Sequence, residues 1–299
     1  MTTTRRSVLT GLLSFTACPA VANFSLGTGT LTTVSDGHLT LPGDFFFASM
    51  PQDELDTILD AASVSRSEVM PECNLTLYRY EDKAVLFDVG SGTDFMPSAG
   101  QVMDSLDAID MAPDEITHVI FTHAHPDHIW GVLDDFDDLA FPEATYMIGR
   151  AEWDYWWDPN TVDSIGEARA AFAVGAKRRM EAIEDQTVLF DPGDEILPGI
   201  SAVPSFGHTP GHMSFEIRDG GDAVMVVGDA VGNHHVALHR PTWRSGADQD
   251  ADQAVDSRIA LLDRLTSEDL RIAGFHLPQG GLGRIITAGD GYRFLPEGA

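Results

Sequence analysis

The chain is poor in thiols and in positive charge. Only two of its 299 residues are cysteine, Cys18 and Cys73. Cys18 falls in a segment with the features of a removable leader. One thiol then remains, which excludes an intramolecular disulfide and a cysteine-built zinc site. Lysine and arginine number 18 against 47 aspartates and glutamates, a formal net charge of −29. A field of that sign repels phosphate backbones and anionic bilayers, so nucleic acid is not an expected partner and a nuclease is disfavoured. No apolar run approaches the ~20 residues that span a bilayer, so no stable membrane insertion is expected. A Pro/Gly/Ser linker, a repeat, a phosphate-binding loop and a Ser-His-Asp triad are also missing. Hydrophobic content of 43% nevertheless marks a globular chain.

The first 22 residues, MTTTRRSVLTGLLSFTACPAVA, contain no acid. Arg5 and Arg6 precede an apolar stretch from Val8 to Ala17, and Ala20-Val21-Ala22 closes it with a small-x-small pattern. This reads as a twin-arginine-type signal peptide, with a mature start near Asn23 and a periplasmic or secreted destination. Residues 23–299 read as a single domain. Its strands are expected at 73–80, 83–89, 117–121, 144–148, 187–190, 200–204, 213–217, 223–227, 271–275, 284–287 and 291–294. Helices are expected at 99–110, 151–157, 165–184 and 251–265. Strands interspersed with helices point to sheets sandwiched between helical layers.

Histidine is present in an unusual place. Residues 121–131 read FTHAHPDHIWG, with His123, His125, Asp127 and His128 inside six positions directly after a predicted strand. On an extended strand end, residues two apart point the same way, so His123 and His125 share a side. Packing several imidazoles beside a carboxylate has little structural purpose without a cation. Three weaker signals follow, each at the end of a predicted strand. GHTPGH carries His208 and His212, VVGDA carries Asp229, and GFH carries His276. Spacing alone does not say which histidine of GHTPGH is a ligand.

In this order the motifs strongly resemble the metallo-β-lactamase fold superfamily of metallohydrolases. The resemblance runs through FDVG, ITHVIFTHAHPDH, FGHTPGH, VVGDA and FHLPQGGLGRI. It implies an αββα sandwich, two mixed sheets packed face to face with helices outside. It also implies two divalent metal ions, with zinc as default and manganese, iron or cobalt as alternatives for imidazole and carboxylate donors. His123, His125 and His208 are expected to hold the first ion, and Asp127, His128 and His276 the second. Asp229 is expected to bridge both, with Asp88 and His212 behind the ligands. A hydroxide shared by the ions would then attack an ester-like bond of a small-molecule substrate, with Asp127 orienting it.

The absence of a ligand cysteine makes the chain look less like the thiolate-containing β-lactamases. It looks more like the branch of acyl-homoserine lactonases and methyl parathion hydrolase. Lactones, aryl esters and phosphotriesters are therefore the expected substrates. A β-lactamase-type amide hydrolase and an iron-dependent sulfur dioxygenase are the alternatives on this fold. Trp130, Trp153, His234 and His235 are candidates for the substrate pocket. The aromatic helix AEWDYWW can equally supply core packing or a homodimer face. Two departures bear on substrate shape: Trp130 stands where many relatives carry glycine, and Asp229 lacks the tyrosine some lactonases carry three residues later.

Overall fold

In a computed structural model of the chain, residues 22–298 are described. The expected signal peptide, with Arg5, Arg6 and Cys18, lies outside them apart from Ala22. The strands in chain order are β1 (Asn23–Leu26), β2 (Gly29–His38), β3 (Leu41–Pro42), β4 (Glu68–Val69), β5 (Glu72–Tyr80), β6 (Lys83–Phe87), β7 (His118–Ile120), β8 (Thr145–Gly149) and β9 (Thr187–Phe190). They continue with β10 (Glu195–Leu197), β11 (Ile200–Pro204), β12 (Met213–Asp219), β13 (Asp222–Val226), β14 (Arg271–Ala273), β15 (Leu282–Ala288) and β16 (Gly291–Pro296). The helices are α1 (Gly43–Phe47), α2 (Gln52–Ala62), α3 (Val102–Asp107), α4 (Pro126–Ile129), α5 (Arg150–Trp157), α6 (Thr161–Ser164), α7 (Ala170–Ile183), α8 (Val236–His239) and α9 (Ala251–Ser267).

Two seven-stranded sheets form, in the orders β1-β2-β5-β6-β7-β8-β9 and β10-β11-β12-β13-β14-β15-β16. Both are mixed. β6, β7, β8 and β9 run parallel in the first, and β13 and β14 run parallel in the second. Strand periodicity divides the side chains between layers. On β6, Val85 and Phe87 enter the core between the sheets, while Ala84 and Leu86 face the helices beyond the first sheet. On β13, Val224 and Val226 face inward and Met225 faces α9 with Leu261, Leu262 and Leu265. Strands buried on both faces read as continuous apolar runs, as VMVV does. Each large apolar side chain so buried contributes about 1.5–3 kcal/mol. The αββα architecture expected from the motifs is present.

Some boundaries differ from expectation. The helix expected at 165–184 begins only at Ala170, because Gly166 sits at φ +95° and breaks the path. The one expected at 99–110 shrinks to Val102–Asp107, since Gly100 is at φ +82°. The stretch from 23 to 69, for which no elements were expected, forms β1–β4, α1 and α2. Its α1 and α2 close over a small cluster of Phe47, Met50, Leu55, Ile58 and Leu59 with Val236. This cluster places the 39–50 segment beside the site.

Candidate metal centre

The candidate ligands converge from the ends of strands in both sheets. β7 ends at Ile120, and Thr122-His123-Ala124-His125 follows as a bent loop outside any strand. Pro126 opens α4 at its first position, where proline is preorganised and no backbone N–H is needed. The short helix turns Asp127 and His128 back toward His123. Asp229 follows β13, and His276 follows β14. Before Asp229 the chain turns at Gly228, φ +49°, where a Cβ would lie 2.7 Å from His212 Nε2.

Two groups result: His123, His125 and His208, and Asp127, His128, Asp229 and His276. All seven side chains are buried. In the first, His125 Nδ1 lies 3.0 Å from His123 Nε2 and 2.9 Å from His208 Nε2. In the second, His276 Nε2 lies 3.3 Å from both Asp127 Oδ2 and Asp229 Oδ2. Asp229 joins the groups, since its Oδ2 is also 3.3 Å from His208 Nε2 and its Oδ1 is 3.3 Å from His128 Nε2. Asp127 Oδ2, His128 Nε2 and Asp229 Oδ1 are buried with no hydrogen-bond partner. Unpaired buried donors and acceptors of this kind are costly. Their convergence with four further imidazoles, those of His123, His125, His208 and His276, fits a pair of divalent cations, and the nitrogen and oxygen donors suit zinc.

The outer ring nitrogens are held by fixed partners, which selects the tautomer each ligand needs. His128 Nδ1 donates to Asp88 Oδ2 at 2.8 Å, and His276 Nδ1 donates to the Glu72 carbonyl at 2.7 Å. His208 Nδ1 donates to Asp248 Oδ1 at 3.0 Å, and His123 Nδ1 meets Thr122 Oγ1 at 3.0 Å. Asp88 occupies a left-handed backbone conformation, φ +64°, and also accepts from Thr122 N and Oγ1. A non-glycine residue there is uncommon. His212 stands behind the ligands, where its Nε2 accepts the Asp229 backbone N–H at 3.0 Å and its Nδ1 meets Ser205 Oγ. Burial pushes the His212 pKa down to about 3, which preserves that acceptor nitrogen.

Burial, then the neighbouring imidazoles, lower the pKa values of His123 and His125 well below the usual range, so they are neutral as ligands must be. Burial opposes charge on His128 and His276 too, but the surrounding carboxylates overcome it and raise both. The second group thus demands positive charge, which a cation would supply. Cys73, beside His276, is not a thiolate, since burial pushes it up to about 12.

Two positioning carboxylates were not foreseen. Glu152 on α5 is fully buried and accepts from Ala124 N, Trp156 Nε1, Thr209 Oγ1 and Gly211 N at 2.6–3.0 Å. It ties the His123–His125 loop to the His208 loop. A lone acid on the aromatic face of AEWDYWW, four residues before Trp156, was the available signal. Asp248 holds His208, and its other oxygen takes Arg258 Nη2 at 3.0 Å. Nothing in the local sequence marked it.

A cavity of about 80 Å³ opens onto Asp127, Asp229, His125, His208 and His276. Leu39, Leu41, Phe45, Phe46, Phe95, Phe172 and Trp243 give it an apolar wall. Trp130 and Trp153, expected as pocket candidates, are not among its lining residues. Trp130 is turned into the layer behind, 5.5 Å from Phe95 and 4.6 Å from the Arg179 guanidinium. Gly175 makes room there, since a Cβ would fall 2.3 Å from the indole. Trp153 stacks on Trp157 at 5.0 Å in the core below the first sheet, because α5 turns its apolar stripe to that core. His234 and His235 line a separate, adjoining cavity.

Fold, ligand order and paired clusters together place this chain in a known class: it belongs to the Metallo-beta-lactamase superfamily, whose profile matches residues 71–276. Among solved structures, it is similar to AidC, a dizinc quorum-quenching lactonase in complex with a product, N-hexanoyl-L-homoserine. The two are 26% identical, with a TM-score of 0.88 over 94% of this chain and 99% of AidC. It is similar also to AbOPH, a hydrolase of the beta lactamase superfamily, at 26% identity and TM-score 0.86 over 93% and 97% of the two chains. By sequence it matches YobT of Bacillus subtilis, 28% identical over 158 residues, which are 52% of this chain and 61% of YobT. An N-acyl homoserine lactonase, AttM of Rhizobium johnstonii, is 29% identical over 39% of this chain and 41% of its own. The chain thus spans about three-fifths of YobT and two-fifths of AttM.

Proposed function

We propose that the chain is a binuclear metal hydrolase of a lactone or other ester-like bond. The observation that carries this is the pair of buried clusters, joined through Asp229, at the floor of an apolar cavity. His123, His125 and His208 would hold one divalent ion, and Asp127, His128 and His276 the other, with Asp229 between them. When bound, the ions supply a water acidified toward a pKa of ~7 and a Lewis acid for the carbonyl oxygen. Asp127 lines the cavity and is placed to take the proton of that water. The phenylalanine wall receives the apolar part of the substrate and keeps bulk water out, which strengthens every electrostatic contact inside. The two lactonase relatives support a lactone, and the aromatic wall also suits aryl esters and phosphotriesters.

The test is metal analysis of the purified protein beside a screen on homoserine lactones, aryl esters, phosphotriesters and β-lactams. Two ions per chain with turnover of a lactone or ester is expected. One iron per chain without hydrolysis would overturn the reading in favour of a dioxygenase. Among the described residues no helix is long and apolar enough to cross a membrane. We also infer export, supported by Arg5-Arg6, the apolar stretch and Ala20-Val21-Ala22. A mature protein beginning near Asn23 in the periplasmic or secreted fraction is the expected result.

A further inference from the structure

His125 differs from the other histidine ligands in the nitrogen it turns inward. Its Nδ1 faces His123 Nε2 at 3.0 Å and His208 Nε2 at 2.9 Å, whereas His123, His208, His128 and His276 all present Nε2 to their clusters. The outer nitrogen of His125 is therefore Nε2. It points to the chain just before α9, where the Gln249 side-chain amide stands with Nε2 3.3 Å away. The other end of that amide, Oε1, takes Tyr155 Oη at 2.8 Å. Tyr155 lies on α5, the helix that also carries Glu152. Neither Gln249 nor Tyr155 lines the cavity over the clusters, so Gln249 reaches the reaction only through His125. The strap that carries Gln249 is itself fixed. Gln249 N donates to the His208 carbonyl at 3.1 Å, and Asp250 N donates to the Gly207 carbonyl at 2.8 Å. The preceding residue, Asp248, holds His208 Nδ1. Two consecutive residues thus stand behind two ligands of one cluster.

We propose that Gln249, held by Tyr155, is a positioning residue for the ion of the His123–His125–His208 cluster: its amide oxygen accepts the Nε2–H of His125 and so directs the Nδ1 lone pair inward. This rests on the binuclear reading above and adds to it the residue that selects the one Nδ1 ligand. A neutral imidazole has one N–H and one lone pair. When Nδ1 gives its lone pair to a cation, the proton sits on Nε2 and needs an acceptor. An amide nitrogen cannot accept, so the oxygen end of Gln249 faces His125 when the ion is bound. The two ends of the amide have nearly the same shape, and a half-turn exchanges them. Tyr155 Oη suits either end, because a hydroxyl both donates and accepts. Donor then meets acceptor along the whole Tyr155–Gln249–His125 chain. Trp156 and Phe172, with ring centroids 5.8 and 5.9 Å from His125, pack against the ring but cannot choose which nitrogen carries its proton. Outer partners of this kind are worth ~10–100-fold in metal affinity. A neutral amide is a weaker acceptor than the carboxylates behind His128 and His208, so the lower end of that range is expected.

The experiment compares the zinc-loaded wild type with Gln249→Leu, Gln249→Glu and Tyr155→Phe. Chelator competition with metal analysis gives the affinities, and nitrogen-15 NMR of the histidine rings shows which cluster gives up its ion. Gln249→Leu, close in size but without an acceptor, is expected to weaken the first ion by roughly tenfold and leave the Asp127–His128–His276 ion nearly unchanged. Gln249→Glu keeps an acceptor and is expected to bind the first ion at least as tightly as wild type. Tyr155→Phe frees the amide to turn and is expected to cost about threefold. The His125 Nε2–H is expected to exchange slowly in wild type and Gln249→Glu, and fast in Gln249→Leu. Wild-type affinity in Gln249→Leu, a Gln249→Glu as weak as Gln249→Leu, or equal losses at both clusters overturns the proposal. If Gln249→Leu does not fold, wild-type affinity in Tyr155→Phe overturns it instead. A wild type that binds both ions and hydrolyses no ester overturns the hydrolase reading alone, since the ranking of the variants needs no turnover.

Discussion

The metal centre and the cavity behind it both display buried histidines, but the two sets meet opposite surroundings. In the centre, His123, His128, His208 and His276 each have the outer nitrogen engaged, by Thr122, Asp88, Asp248 and the Glu72 carbonyl. Their inner nitrogens are thereby fixed as lone-pair donors, those of His123 and His208 to one cluster and those of His128 and His276 to the other. In the rear cavity, His235 has neither nitrogen engaged. A histidine oriented from behind behaves as a ligand. One buried without orientation has no such assignment, and its burial costs stability wherever the solution favours its charged form.

Removing an outer partner should break this difference. Asp88→Asn suits the left-handed backbone, which asparagine tolerates, but its amide cannot accept from both Thr122 and His128. His128 then loses its preferred tautomer. Metal affinity at the Asp127–His128–His276 site is expected to fall toward ~100-fold, with hydrolysis, while the His123–His125–His208 site keeps its ion longer. Competition with a chelator followed by metal analysis checks this, and equal loss at both sites would contradict it.

A smaller effect is expected from Glu152→Gln. Four donors converge on that carboxylate, and the glutamine amide nitrogen must face at least one of them. The expected cost is about 2 kcal/mol. Thermal unfolding of the metal-loaded protein should shift down by several degrees, with weaker metal binding chiefly at the first site. A variant as stable as wild type would show that the two loops are held by other contacts.

The smallest effect sharpens the other half of the comparison. In the unfolded chain His235 takes up a proton near pH 6.5, but in the folded protein only near 3. Stability from this residue is therefore full above ~6.5 and declines as the pH falls toward 3. His235→Phe removes the decline. Between about pH 7.5 and 5.5 the variant should lose about 1.4 kcal/mol less than wild type, read from urea midpoints at the two values. Parallel losses would mean that His235 is hydrated or paired in solution.

The ligand set was legible because each member follows an apolar strand and carries a chemistry that a strand end rarely needs otherwise. Order along the chain then raised weak signals to a pattern. Glu152 and Asp248 were not legible in this way. Glu152 acts on residues 28 and 57 positions away, and Asp248 acts on one 40 positions away, so apart from the spacing of Glu152 to Trp156 nothing local betrays them. The wall of the apolar cavity was equally hidden. Leu39, Leu41, Phe45 and Phe46 come from a segment with no reactive side chain, and they reach the site only because α1 and α2 pack on Val236. Trp130 was misplaced for the complementary reason. Adjacency to the metal loop in sequence says nothing of which side the ring takes, and Gly175, 45 residues on, decides it.

By itself the sequence determined the family, the layered architecture, most strands from residue 73 onward and the metal-binding chemistry, because strand periodicity and donor type are local properties. The tertiary structure decided which nitrogen of each histidine faces the centre, which aromatic residues meet a substrate, and that a second cavity adjoins His276. Those are long-range properties: they depend on which burial and which hydrogen bond wins when segments far apart in the chain compete for the same space.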